Sequence, residues 1–103
     1  MKFMTLVVQP VEKAAEVAAA SDKGWANWPR ESRPESGYVM LCVPKFEVPP
    51  NSLVAFTISE ADSADKISAR VYPQMVAGAT INVIPLVEYP MGGAAKTERK
   101  LRS

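Results

Sequence analysis

Glu60 and Asp62 stand two residues apart where an apolar, β-branched run gives way to small and acidic residues. A carboxylate held out of water at such a turn has its pKa raised toward the range of a general base, so Glu60 is a candidate proton acceptor. A solvated or helix-start role is the commoner one for such a residue. Asp62 fits a helix N-cap, and Asp65 falls in the first turn, where negative charge suits the helix dipole. Tyr38 and Tyr72, each at the boundary of a predicted element, offer a phenol as acid or hydrogen-bond donor; ordinary boundary packing is the more frequent use. Arg70 can meet a ligand carboxylate, with a surface ion pair as the commoner alternative. Trp25 and Trp28 are three apart, on one helical face if the helix persists, and either wall an aromatic or polycyclic ligand or cap the core. Asn82 interrupts the last apolar run and needs a partner if buried, from a ligand or across a dimer interface. Cys42 sits between Leu41 and Val43 and reads as a buried inert thiol before a nucleophile.

The composition narrows the chemistry. The chain of 103 residues contains no histidine. It therefore cannot itself supply His-ligated zinc, a proximal-His haem, or a Ser-His or Cys-His nucleophile pair. No metal and no organic cofactor is expected. One cysteine cannot form an internal disulfide, and the first residues run straight into a strand-like segment, so a reducing cytoplasm is the expected location. No apolar run approaches the ~20 residues that cross a bilayer, so no membrane partner is expected. The formal net charge of +1 carries no electrostatic footprint for nucleic acid. Residues 96–103 are locally basic, with Lys96, Arg99, Lys100 and Arg102 against Glu98, but lack interleaved aromatics.

The elements that must position these residues follow from periodicity. Residues 2–9 are apolar on both alternating faces, Phe3, Thr5 and Val7 on one and Met4, Leu6 and Val8 on the other, as in a strand buried on both sides. Pro10 stops the ladder and opens a helix. Val11, Ala14, Ala15 and Ala18 keep helical spacing, predicting helix over 11–20 with a continuation to Trp28 across the weak point Gly24. Residues 29–37 hold two prolines and mixed charge, an exposed connection. Residues 38–43 read as a second strand limited or bulged by Pro44, and 53–58 as a third. Ala64, Ile67 and Val71 make an inward stripe on a second helix, which Pro73 is expected to end near Val71. Residues 80–88 form the last strand, with Ile81, Val83 and Val87 on one face and Ile84 and Leu86 on the other. Pro85 marks it as an edge strand or a bulge. A domain over 1–91 and a flexible basic tail over 92–103 complete the reading.

The order β-α-β-β-α-β is that of a ferredoxin-like α+β fold, a four-stranded antiparallel sheet with two helices on one face. Two helices cover one face only, yet the first, third and fourth strands are apolar on both. The simplest cover for the second face is the same sheet of another copy, giving a two-fold homodimer.

Three stretches carry a family likeness: MKFM leading into a β run and Pro10, FTISEADSADKI at 56–67, and INVIPLVEYP at 81–90. Together they resemble the dimeric α/β-barrel superfamily. That group includes YCII-related and muconolactone isomerase-like proteins, antibiotic-biosynthesis monooxygenases and polyketide cyclases. The nearest likeness is to small proteins of unassigned function, and it spans about residues 1–90. The chain departs from the group in having no histidine and in the proline-rich connection before Tyr38. The resemblance implies a homodimer with a small-molecule pocket in each subunit, between the helices and the concave side of the sheet. It also implies a metal-free enzyme of isomerase, cyclase or cofactor-independent monooxygenase type acting on a hydrophobic or aromatic metabolite. In that frame Tyr38, Glu60 and Tyr72 are the catalytic candidates, and Trp25, Trp28, Arg70 and Asn82 the ligand-binding ones. A non-catalytic homodimer that binds a ligand or a protein is the alternative, favoured by the missing histidine and the lack of a clustered acid-base pair.

Overall fold

Alternation of large apolar side chains over residues 2–8 produces a central strand, β1 (Lys2–Pro10), whose Phe3, Thr5 and Val7 are buried while Met4, Leu6 and Val8 are half-buried on the other face. The computed structural model describes residues 1–40, 51–88 and 90–103. After β1 come a single 3₁₀ turn and α1 (Ala14–Asn27), then a second 3₁₀ turn (Arg30–Ser32) and β2 (Ser36–Val39). The chain continues through β3 (Ser52–Glu60), α2 (Ala64–Val76), β4 (Thr80–Leu86) and α3 (Ala94–Arg102). The sheet order is β2-β3-β1-β4, with every neighbouring pair antiparallel. This is the expected ferredoxin-like α+β arrangement. The predicted second strand beyond residue 40, with Cys42 and Pro44, lies outside the described residues.

Register sorts the side chains. Phe3 faces Ser59 and Pro85, Thr5 faces Thr57 and Val83, and Val7 faces Ala55 and Ile81, so these residues share the face on which the helices pack. Val17 of α1 and Ile67 and Val71 of α2 are buried against it. Two clusters result: Phe3, Trp28, Ile67 and Val71, and beside it Val7, Val17 and Ala79, with Ile81 touching both. The opposite face carries Met4, Leu6, Val8, Val54, Phe56, Ile58 and Ile84. Tyr38, on that face of β2, stacks on Phe56 with ring centroids 5.0 Å apart.

Helix α1 passes through Gly24 and ends at Trp28, its C-cap. Helix α2 differs from expectation at both ends. Its N-cap is Ser63, not Asp62, and Asp62 instead accepts a hydrogen bond from Lys66 Nζ at 2.9 Å. At its C-terminus it runs through Pro73 to Val76. Gly78, at φ 122°, stops it, with Gly78 N–H donating to the Met75 carbonyl and Ala79 N–H to the Gln74 carbonyl, each at 3.0 Å. These bonds satisfy the last carbonyls and set the end five residues beyond the one inferred from Pro73, whose ring forfeits only one backbone donor. A side chain at Gly78 would also place its Cβ 3.2 Å from Lys13 Cγ.

Pro85 lies in β4, an edge strand, as its missing N–H requires. The basic segment expected as a flexible tail holds helix α3, which buries none of its residues. Arg102 and Glu98 pair along it at 2.6 Å.

Candidate functional site

The helix-facing side of the sheet is not filled by the two core clusters. Thr5, Val7 and Gln9 of β1 and Ala55 and Thr57 of β3 form the floor of a cavity of about 460 Å³. Its roof is Val17, Ser21 and Trp25 of α1, Trp28 at the helix end, and Arg70, Val71 and Gln74 of α2; Pro34 and Glu35 close one side. The volume is that of a site for a small organic molecule. The cause is local. Small side chains, Ala18, Ser21 and Gly24, occupy the α1 positions that face it, and Ala55 the β3 position.

The lining is mostly apolar, with a few placed polar groups. Thr5 Oγ1, Gln9 Oε1 and Trp28 Nε1 are buried and have no hydrogen-bond partner among the described residues, although Thr5 and Trp28 are only 2% and 8% exposed. Buried polar atoms are normally paired, by protein, water or ligand. All three atoms belong to residues that line the cavity. Ser59 Oγ is a fourth such atom but does not line the cavity.

The tryptophans occupy different settings. Trp25 is 46% exposed at the mouth, under the Arg33 guanidinium, whose carbon lies 4.7 Å from the ring centroid. Trp28 belongs to the core and carries the Arg70 guanidinium 5.7 Å from its centroid. Arg33 also donates from Nε to the Trp28 carbonyl at 3.3 Å and from Nη2 to the Trp25 carbonyl at 3.4 Å, which ties the connection after α1 to the helix C-terminus. Arg70 makes no ion pair among the described residues, where a surface pair is the ordinary expectation. Its Nη1 reaches the Asn27 carbonyl at 3.5 Å. Glu35 accepts from Lys2 Nζ at 3.4 Å.

Of the residues singled out from the sequence, Trp25, Trp28 and Arg70 are brought together at the cavity. Tyr38, Glu60, Tyr72 and Asn82 do not line it. Tyr38 is on the far side of the sheet, Tyr72 is exposed on α2, and Asn82 is exposed on β4 beside Leu6. Glu60 is exposed and pairs with the N-terminal ammonium at 3.1 Å. It lines a second, more polar depression with Met1, Asp62 and Lys66, which Trp28 and Arg70 separate from the cavity. The Lys66 ammonium holds the Asp62 carboxyl below its ordinary range. Thr5, Gln9, Thr57 and Gln74 were not legible as site residues, although a threonine in the middle of an apolar strand face is the one signal that pointed there. Among the described residues no group of three or more Cys, Asp or Glu side chains is placed to hold a metal ion, and no helix is long and apolar enough to cross a membrane.

No protein-family model and no curated protein matches the chain. Among solved structures it is similar to the 5-chloro-2-hydroxyhydroquinone dehydrochlorinase TftG from Burkholderia phenoliruptrix AC1100, in complex with 2,5-dihydroxybenzoquinone. The two superpose with a TM-score of 0.60 at 17% sequence identity, covering 89% of this chain and 98% of that one. At that identity the likeness is one of fold.

Proposed function

We propose that the chain binds an aromatic small molecule in the cavity between its sheet and helices, and acts on it as an enzyme of isomerase, cyclase or cofactor-independent monooxygenase type. The observation that carries this reading is the joint presence on one cavity of the tryptophan pair, an arginine without an ion-pair partner among the described residues, and the polar side chains of Thr5 and Gln9 on an otherwise mostly apolar lining. Trp25 and Trp28 supply aromatic surface, Arg70 supplies charge, and Thr5 and Gln9 supply hydrogen bonds that fix orientation. Orientation and exclusion of water are the rate-raising effects such a site offers. The structural neighbour holding a dihydroxybenzoquinone lends support to an aromatic ligand.

Binding without catalysis is the second reading. Glu35 is the one carboxylate among the described lining residues, and it is held in an ion pair with Lys2. We further propose that two copies join through the sheet faces opposite the helices, where Met4, Leu6, Phe56, Ile58 and Ile84 make a continuous apolar surface.

Native mass spectrometry of the protein purified from its own host tests these readings together. A dimer carrying an aromatic mass is expected. An empty dimer shifts weight to binding or structure alone, and a monomer overturns the sheet-to-sheet pairing.

A further inference from the structure

We infer that the cavity selects an aromatic ring bearing one anionic oxygen group, a carboxylate or an ionised ring hydroxyl, and that Arg70 is its seat. This rests on the small-molecule reading above and adds the ligand's charge. Arg70 and Glu35 are the ionisable side chains among the described lining residues. Glu35 is matched by Lys2 at 3.4 Å. Arg70 has no carboxylate partner among the described residues, and the one hydrogen bond its side chain makes there, to the Asn27 carbonyl, is 3.5 Å long, at the outer limit of such a bond. The wall therefore carries one uncompensated positive charge.

The setting of that charge makes it effective. Arg70 is half-buried, and its guanidinium lies 5.7 Å from the Trp28 ring centroid, a cation–π distance that restrains the side chain before a ligand arrives. A charge among apolar walls interacts more strongly than one in open water. The guanidinium presents several N–H donors in a planar fork matched to a carboxylate or to paired oxygens. Trp28, whose ring Arg70 covers, carries the indole N–H as a further donor with no partner among the described residues.

The remaining orphans define the rest of the ligand. Thr5 and Gln9 lie four residues apart on one face of β1, and Gln9 Oε1 is an acceptor that a ring hydroxyl can satisfy. A second anionic group would find no other cation among the described lining residues and would share the cavity with Glu35. The pattern fits a monoanionic hydroxylated aromatic.

Isothermal titration calorimetry of the full chain at neutral pH tests the inference with three probes: para-hydroxybenzoate, 2,4-dinitrophenol, whose single ring hydroxyl is ionised at neutral pH, and the neutral para-hydroxybenzamide. The better of the two anionic probes is expected to bind about tenfold or more tighter than the amide, as a charge-assisted hydrogen bond implies. Which anion wins distinguishes a carboxylate from an ionised ring hydroxyl. Arg70→Gln is expected to erase the preference for the anions over the amide, while Arg70→Lys, which keeps the charge, retains part of it. A near-UV circular dichroism spectrum matching the wild type shows that each variant is folded. Equal affinity for anions and amide, or an undiminished preference in a folded Arg70→Gln, overturns the anion seat while leaving the aromatic cavity standing. No heat with any probe overturns both.

Discussion

Thr5 of β1 and Thr57 of β3 are directly paired across the sheet, and both line the same cavity, with the Thr5 hydroxyl buried and without a partner among the described residues. An unpartnered buried hydroxyl lowers stability by the cost of its lost hydration. Thr5→Val keeps the shape and removes the hydroxyl, so it is expected to raise stability by about 1 kcal/mol and to weaken ligand binding. Urea denaturation and ligand titration measure the two effects. Loss of stability would show that the hydroxyl is satisfied in the folded protein. Ser59→Ala is the control: its Oγ is buried and unpartnered outside the cavity, so it should gain stability without affecting binding.

Trp28 joins the core to the cavity. It packs with Phe3, Ile67 and Val71, and Trp28→Ala is expected to cost about 3 to 5 kcal/mol, as for large aromatic truncations in cores. Trp28→Phe keeps an aromatic ring in the core while losing the indole N–H and part of the ring system, so its fold should persist at a smaller cost than that of Trp28→Ala while affinity for an oxygenated aromatic falls. Chemical denaturation monitored by circular dichroism, with parallel calorimetry, separates packing from recognition.

Val83 and Ile84 are neighbours on β4 with opposite duties. Val83 packs against the Phe3 cluster, whereas Ile84 lies across from Met4 on the other face. Val83→Asp should lower stability by about 2 kcal/mol or more, since it places a charge in the helix-side core. Ile84→Glu should leave the thermal midpoint of the domain near that of the wild type and convert a dimer to a monomer in analytical ultracentrifugation. A persistent Ile84→Glu dimer would rule out pairing through this face.

Asp62 and Lys66 set a pH dependence. The Lys66 hydrogen bond and charge lower the Asp62 pKa in the folded chain. A depressed carboxylate contributes stability above its unfolded pKa, and that contribution is lost as pH falls through the folded value. Lys66→Met should therefore be less stable than the wild type at neutral pH, and the difference should vanish in acid below the ordinary Asp range. Because the pair is exposed, the difference should also shrink at about 1 M salt, where the Debye length is ~3 Å. Thermal melts across pH and salt check both signs.

Helix α3 buries no residue. Truncation after Gly93 should leave the melting transition and the cavity's ligand affinity unchanged. A large fall in melting temperature would make the segment a structural arm instead.

The strand and helix sequence was readable from the residues because each element states its own period. Phe3, Thr5 and Val7 alternate with Met4, Leu6 and Val8, and Ala64, Ile67 and Val71 repeat at helical spacing. Pro85 narrowed β4 to an edge strand or a bulge for the same reason, a missing donor being a local property, and the sheet order makes it an edge. The ends of α2 were less legible, because Ser63 and Asp62 are both acceptable caps, and because the bonds that Gly78 and Ala79 send back to Met75 and Gln74 outweigh the warning given by Pro73. The catalytic candidates Tyr38, Glu60 and Tyr72 were chosen by type and by position at element boundaries, and neither property says which side of a sheet a group will occupy. The family likeness pointed to a pocket between sheet and helices, with Trp25, Trp28 and Arg70 beside it, but its floor of Thr5, Gln9 and Thr57 was beyond the sequence. The cavity exists because the β1–β3 register sets Thr5 beside Thr57, fifty-two positions along the chain, and because α1 and α2 carry Trp25, Trp28 and Arg70 over that spot. Period and propensity are written in neighbouring residues; register and helix docking are settled only when distant residues compete for the same buried space.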